Sequence, residues 1–323
     1  MDILTTIIPS AIAIAIIFLL GCTGETIMEK AGHLNLGIPG VMCIGAYGGC
    51  LGVSLVMNMY SSNPSSANYF LLLLVTILMS IVFSLFAGLI YALLTVTLKC
   101  NQNVTGLALT TFGAGFADYF ISLLPKDNFA AAGRIIKSTL PFASNLGVVG
   151  KLLFNYTFLV YFAIIIAIVV WVVLKKTRVG LSLRAVGESP ATADAAGINV
   201  TKYKYGAILI GSSIAGLGGM YYVVDYITGS WSNSSTLQGL GWLAVALVIF
   251  SIWNPLIAIF GSILFGFLYI LPNYVNASVF QGKLLDLIPY LVTILVLIIT
   301  SIFGKKSVQP PSNLGNSYFR EDR

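Results

Sequence analysis

The sequence predicts an all-α fold, a polytopic transmembrane helix bundle with about nine membrane segments. Three observations carry that prediction. Of 323 residues, 58% are hydrophobic and only 9% are charged, where a soluble globular chain carries roughly 25% charged residues. The mean hydropathy is +0.94. Apolar runs long enough to span lipid recur along the chain, and a bilayer core of about 30 Å needs about 20 such residues per helix. So few charges cannot cover a water-facing surface, and lipid is the solvent this composition suits.

Six runs are plainly apolar: 3–22, 69–98, 154–174, 205–224, 255–272 and 287–303. Three more, 40–58, 104–123 and 238–252, are apolar but richer in Gly and Asn. Residues 3–22 have no basic stretch before them and no A-x-A site after them, so they read as a retained helix. The run 69–98 exceeds the span and is expected to tilt or to project beyond the lipid.

Positive charge sets the orientation. With the loop 175–204 placed inside, alternation assigns Lys30, Lys99, Lys175, Lys176, Arg178, Arg184, Lys202, Lys204, Lys305, Lys306, Arg320 and Arg323 to the cytoplasmic side. Only Lys126, Arg134, Lys137, Lys151 and Lys283 remain outside. The N-terminus is therefore expected outside and the C-terminus inside. This bias explains the net charge of +6 without nucleic acid, for which no basic, aromatic-interleaved patch exists.

Residues 1–306 read as a single transmembrane domain with the cytoplasmic loop 175–204. Residues 307–323 read as a polar, disordered tail. The outer stretch 125–153, with Pro125, Lys126, Asp127, Arg134, Lys137 and Pro141, is either a solvated loop or a docking surface for an external partner. Cys22, Cys43, Cys50 and Cys100 form no CxxC pair, and the sole His33 completes no zinc site with them. They read as buried, inert thiols. With no Gly-x-x-x-x-Gly-Lys-Ser/Thr loop, the chain carries no phosphate-binding site of that kind. A catalytic set cannot be assembled around one histidine, and an aspartyl enzyme needs two carboxylates at membrane depth, where only Asp118 qualifies.

Two stretches echo each other. Residues 25–40 carry Gly32, Asn35, Gly37, Pro39 and Gly40; residues 99–106 carry Asn101, Asn103 and Gly106; both then become apolar. Each reads as irregular backbone, which at membrane depth must be buried in protein or line a cavity. Asn35, Asn101 and Asn103 either face a translocation path or satisfy loop carbonyls at the inner interface. Asp118 lies about 21 Å above residue 104 at 1.5 Å per residue. It either contacts a polar solute or pairs with Lys126 or Arg134. Trp242 either stacks on a solute or packs in the bundle. Gly211, Ala215 and Gly219 place small residues on one helix face, for close packing within the bundle or at a moving interface. Asp225 and Asp286 fall at outer helix ends and read as solvated, Glu25 as a partner of Lys30, and Trp231 and Trp253 as interfacial anchors.

The loop 175–204 is the most informative. Ser189 suits an N-cap, Pro190 the first helical position and Gly197 the residue after the helix. That defines a helix of about seven residues, too short to persist alone in water. It docks either on its own bundle or in a groove of a cytoplasmic ATPase.

The pieces GHLNLGIPG (32–40), GLSLRAVGESPATADAAGI (180–198) and GSSIAGLGGMYYV (211–223) resemble the inner-membrane permeases of ABC importers. The subgroup is the one shared by ribose-type sugar, branched-chain amino acid and nucleoside systems. The first piece is most similar to the nucleoside type linked to basic membrane proteins, with Pro39 where that pattern has an acid. The likeness extends over most of residues 20–270. It implies the fold of vitamin-B12-type importer permeases and a place in a bacterial cytoplasmic membrane. It implies a second permease subunit, identical or not, two ATP-binding subunits holding ATP-Mg, and an extracellular substrate-binding lipoprotein. No cofactor is implied in this chain. On the same likeness, Arg184, Gly187, Glu188, Ser189, Pro190, Ala193 and Gly197 form the ATPase-coupling element, and the solute is a nucleoside or a simple sugar. The competing expectation is an ion-gradient-driven carrier with Asp118 as its coupling site.

Overall fold

The computed structural model describes residues 2–60, 66–137, 150, 154–274, 284, 287–303 and 309–319. Pro141, Lys151, Lys283, Asp286, Lys305, Lys306, Arg320 and Arg323 lie outside the described residues. Among the described residues, the regular elements are all helices. In order come α1 (Asp2–Lys30), α2 (Ile38–Met59), α3 (Tyr69–Ala92), α4 (Gln102–Ser122), α5 (Lys126–Ile136) and α6 (Phe158–Lys176). Then follow α7 (Arg178–Glu188), α8 (Pro190–Ala195), α9 (Val200–Tyr221), α10 (Ser235–Phe250), α11 (Pro255–Ile270) and α12 (Ile288–Phe303).

Among the described residues, seven helices are long and apolar enough to cross a membrane: α1, α2, α3, α4, α6, α9 and α11, with α3 running on to Thr97, α9 to Tyr226 and α11 to Asn273. The apolar helices α10 and α12, at 16 residues each, are shorter. Where the sequence suggests one long outer loop after Pro125, α5 forms, with Asp127 in its first turn and Arg134 in its last, matching the helix dipole.

The burial pattern divides the helices into two kinds. The apolar windows of α2 and α9 are 83% buried, while those of α3 and α6 are 33% buried. α2 packs on α3, α4, α9 and α10; α1 packs on α6, α9, α10 and α11. The lipid-side helices present large side chains such as Phe70, Val82, Phe86, Ile165 and Val169. The central helices are rich in Gly and Ser, because in lipid helices gain most by close approach. A Cβ on Gly24 would meet the Gly211 carbonyl, and one on Gly211 would meet the Gly24 carbonyl. Ala215 is fully buried beside Gly24, and a Cβ on Gly219 would strike the backbone of Met42. The stripe Gly211, Ala215 and Gly219 therefore lies at the contact of α9 with α1 and α2.

Two acids depart from expectation. α1 continues as helix to Lys30, so the irregular backbone is confined to residues 31–37. Glu25 is buried and accepts the Asn35 N–H at 2.8 Å rather than pairing with Lys30. Asp225 is buried and accepts the Thr157 hydroxyl instead of being solvated. In both cases a nearby donor substitutes for water. Trp253 likewise is no surface anchor: it is buried and donates its indole N–H to Glu29. Cys22, Cys43 and Cys50 are buried and free, but Cys100 is exposed, because it sits in the turn that ends the α3 run.

The close approach of α1 and α9 yields a matched pair of expectations. Gly211→Ala should lower stability by about 1–3 kcal/mol, since the added methyl overpacks a backbone contact. Gly206→Ala, on the same helix, meets open space and should leave stability unchanged or raise it by up to about 1 kcal/mol. Thermal unfolding of the detergent-solubilised protein distinguishes the two.

Candidate functional site

One end of the bundle is built around the non-helical residues 31–37. Its backbone groups are satisfied from four directions. Besides the bond from Asn35 to Glu25, the Leu34 N–H donates to Gln102 Oε1 at 2.9 Å, and Tyr91 Oη donates to the Leu34 carbonyl at 2.8 Å. Thr110 Oγ1 donates to the Leu36 carbonyl at 2.9 Å. Asn35 is itself buried; its Oδ1 accepts the Gly37 N–H at 2.9 Å and its Nδ2 points to the Met28 sulfur. Asn35 thus holds the loop and is fully buried. The two echoing stretches meet: a Cβ on Gly106 would touch the backbone of Leu36 and Gly37.

Asn101 caps α4, accepting the Val104 N–H at 3.1 Å. It lies in the wall of a mainly apolar cavity of about 570 Å3 with Tyr91, Leu94, Cys100 and Phe112. Asn103 is exposed in the first turn of α4. At the opposite end, Asp118 is half-buried. Its Oδ2 accepts the Ser234 hydroxyl at 2.7 Å, and Gln238 Nε2 donates to the same Ser234 oxygen at 3.0 Å. Asp118 Oδ1 is buried with no hydrogen-bond partner among the described residues. The expected partners Lys126 and Arg134 are replaced by this hydroxyl, because α10 begins beside α4 at that level. Trp242 is half-buried on α10, and Trp231 is half-buried with its indole N–H unpaired among the described residues.

The loop after α6 is a pair of helices at an angle rather than one short helix in a loop. Thr177 caps α7, accepting the Gly180 N–H at 3.1 Å. Arg184, Gly187 and Glu188 therefore lie on α7. Ser189 caps α8, accepting the Thr192 N–H at 3.4 Å, and Pro190 opens it. The Ile198 N–H returns to the Ala193 carbonyl at 3.0 Å around Gly197, whose φ is +84°, a left-handed closure that glycine permits.

Each residue of this element has a definite place. Gly187 is buried where α7 crosses the end of α1, and a Cβ there would strike the Lys30 carbonyl. Arg184 is half-buried and bonds its own helix at the Gly180 carbonyl, 3.4 Å away. Pro190 and Ala193 are buried, and Ala193 packs with Val186, Val200 and Tyr318. The opposite face of α8 and its exit, Ala191, Thr192, Ala195, Ala196 and Gly197, is exposed and free of charged side chains. So α8 gains its support in cis from one face and leaves a flat face open, which is why so short a helix is stable here.

Residues 309–319 do not behave as a disordered tail. The Asn313 N–H donates to the Gly187 carbonyl at 3.1 Å and the Gly315 N–H to the Gly32 carbonyl at 3.2 Å. Ser312 Oγ donates to Glu188 Oε2 at 2.8 Å, and Tyr318 Oη to Asp194 Oδ2 at 2.9 Å. Polar composition conceals this docking because half of these bonds use backbone amides.

The family described as branched-chain amino acid transport system / permease component matches residues 7–297. The chain belongs to this family. The nucleoside ABC transporter permease NupC of Lactococcus lactis is 31% identical to this permease, covering 92% of this chain and 91% of its own. The guanosine ABC transporter permease NupQ of Bacillus subtilis is 30% identical, over 100% and 99% of the two chains. A Haloferax volcanii protein provisionally named glucose ABC transporter permease TsgC13 is 33% identical over 95% of each. No solved structure matches the permease.

Two expectations arise from this end of the bundle. His33 is buried, and this together with the nearby Lys204 charge pushes its pKa down to about 3 from 6.5. Below about pH 6.5 the unfolded chain takes up a proton that the folded permease refuses, so stability falls as pH drops from about 6.5 toward 3. His33→Asn should flatten that slope in thermal melts of the purified permease. Truncation after Val308 should leave the bundle folded but speed amide exchange across 186–198 by about tenfold, the loss of roughly 1.4 kcal/mol of local support, read by mass spectrometry.

Proposed function

We propose that this permease imports a nucleoside through the cytoplasmic membrane, with its N-terminus outside and the α7–α8 element in the cytoplasm. Membership of the permease-component family and nucleoside-named relatives covering nine-tenths or more of the chain support the class and the solute. A simple sugar is the second reading, favoured by the TsgC13 likeness. ATP would be hydrolysed by two separate ATP-binding subunits carrying ATP-Mg, beside a second permease subunit and an extracellular binding lipoprotein. An ion-gradient-driven carrier has little support, because one oxygen of Asp118 is engaged by Ser234 and family membership points to ATP-driven transport.

The observation that carries the mechanical part is the two-faced character of α8. One face is anchored by Pro190 and Ala193; the other is a flat surface of alanines ending at Gly197. A surface without large side chains fits a groove closely, and the anchored face passes any push to α7. From α7, Gly187 bears on the Lys30 carbonyl of α1, and α1 packs along α9, α10 and α11. Closure of the ATPase pair would tilt the central helices through that chain of contacts. At the outer end, the free oxygen of Asp118 with Ser234 and Gln238 offers acceptors and donors for sugar hydroxyls.

The test is uptake of radiolabelled adenosine, guanosine and glucose by proteoliposomes holding the permease with its second permease subunit, ATP-binding partners and binding lipoprotein. Ala195→Arg should cut uptake at least tenfold and lower solute-stimulated ATP hydrolysis, while membrane insertion is unchanged. Full uptake with Ala195→Arg would overturn the coupling assignment. Asp118→Asn should raise the KM for a nucleoside several-fold with little change in ATPase coupling; an unchanged KM would remove Asp118 from the path.

A further inference from the structure

A second cavity, of about 460 Å3, opens where α8, α9, the end of α3 and the 31–37 loop converge. Its size falls in the range of small-molecule sites. Three kinds of donor converge on it. The first turn of α9 contributes Val200 and Thr201 to the wall. Their amides lie ahead of the first intrahelical bond and have no helical acceptor. The Asn199 side chain is already used on Lys202 N–H. One turn along, Lys204 lines the same cavity; the residue is only 2% exposed, and its side chain makes no hydrogen bond or ion pair among the described residues. His33 lines it too, at 1% exposure; the Gln102 side chain lies beside it, yet neither ring nitrogen has a hydrogen-bond partner among the described residues.

A buried ammonium without a counter-ion is costly, and an unpaired buried imidazole adds to that cost. Lys99 adds a second ammonium at the exposed rim, where it also sits 4.2 Å over the Phe319 ring. The one acid in the wall, Asp194, already accepts the Tyr318 hydroxyl. The site thus combines two ammonium groups, helix-start amides and an imidazole against one engaged carboxylate. Amides at a helix start together with Lys favour a compact oxyanion.

We infer that this cavity binds a phosphate group: Lys204, the Val200 and Thr201 amides and His33 grip its oxygens, and Lys99 closes the rim. The remaining volume accommodates what the phosphate is attached to, making a phosphomonoester the fitting class. The group would come either from a soluble phosphorylated metabolite or from a lipid headgroup, and it would join the α8–α9 corner to the 31–37 loop. Transport through the outer Asp118 region is not needed for this binding, so the inference stands or falls separately from the proposed function.

The test uses the full-length permease in nanodiscs of phosphatidylcholine alone, titrated with adenosine 5′-monophosphate and with unphosphorylated adenosine, read by thermal shift and isothermal calorimetry. A parallel set of nanodiscs contains phosphatidic acid, a lipid phosphomonoester. The expected result is stabilisation by the monophosphate beyond that by adenosine, weakened about tenfold in Lys204→Met, the loss of one charge-assisted contact. Lys99→Gln, at the exposed rim, keeps the inference testable if Lys204→Met does not fold; it should weaken binding several-fold. Stabilisation by phosphatidic acid alone, lost in the same variants, supports the site with a lipid headgroup as its source. No stabilisation by either phosphate source, or stabilisation untouched by Lys204→Met or Lys99→Gln, overturns it.

Discussion

The burial of residues 31–37 is the constraint on which the rest depends. Here the chain leaves helical geometry inside the protein, where water cannot satisfy its amides and carbonyls. Each buried group left unpaired would cost about 1–3 kcal/mol. The bundle supplies the partners: Glu25 from α1, Tyr91 from α3, Gln102 and Thr110 from α4. Those four side chains fix the ends of three helices relative to one another. Glu29 extends the arrangement by accepting from Trp253, which pins the α10–α11 turn to α1.

This constraint explains the mechanical layout. α1 and α2 are held at the loop between them, and both are packed at close range by glycine contacts along α9. A force applied near Gly187 therefore meets the rigid end of α1 rather than a yielding loop. The 309–319 segment strengthens the same junction, since its backbone amides at Asn313 and Gly315 reach Gly187 and Gly32. The α7–α8 pair, the buried loop and the 309–319 segment form one mechanical unit at that end of the bundle.

The helices were legible in the sequence because lipid imposes a simple length and composition rule. The boundaries of α8 were legible because Ser189, Pro190 and Gly197 act locally, through caps and allowed backbone angles. The helix α7 was less so: Arg178–Glu188 carries mixed polar and apolar residues and gains its stability from Leu183 and Val186 packing inward. Asn35 illustrates the limit at the site. Its polarity and its glycine-rich setting were visible, but both readings of it depended on whether Glu25 and Gly37 would take up its groups.

By itself the sequence determined that the chain lives in lipid and where the short capped helix lies. Those properties come from solvent transfer and from local backbone preference, which act within a few residues. Only the tertiary structure decided that Glu25, Asp225 and Trp253 are interior groups, that Asp118 answers to Ser234, and that the polar tail is docked. Each of those outcomes is a hydrogen bond between groups far apart in the chain, and a buried polar group's cost is fixed by the partner that folding brings to it.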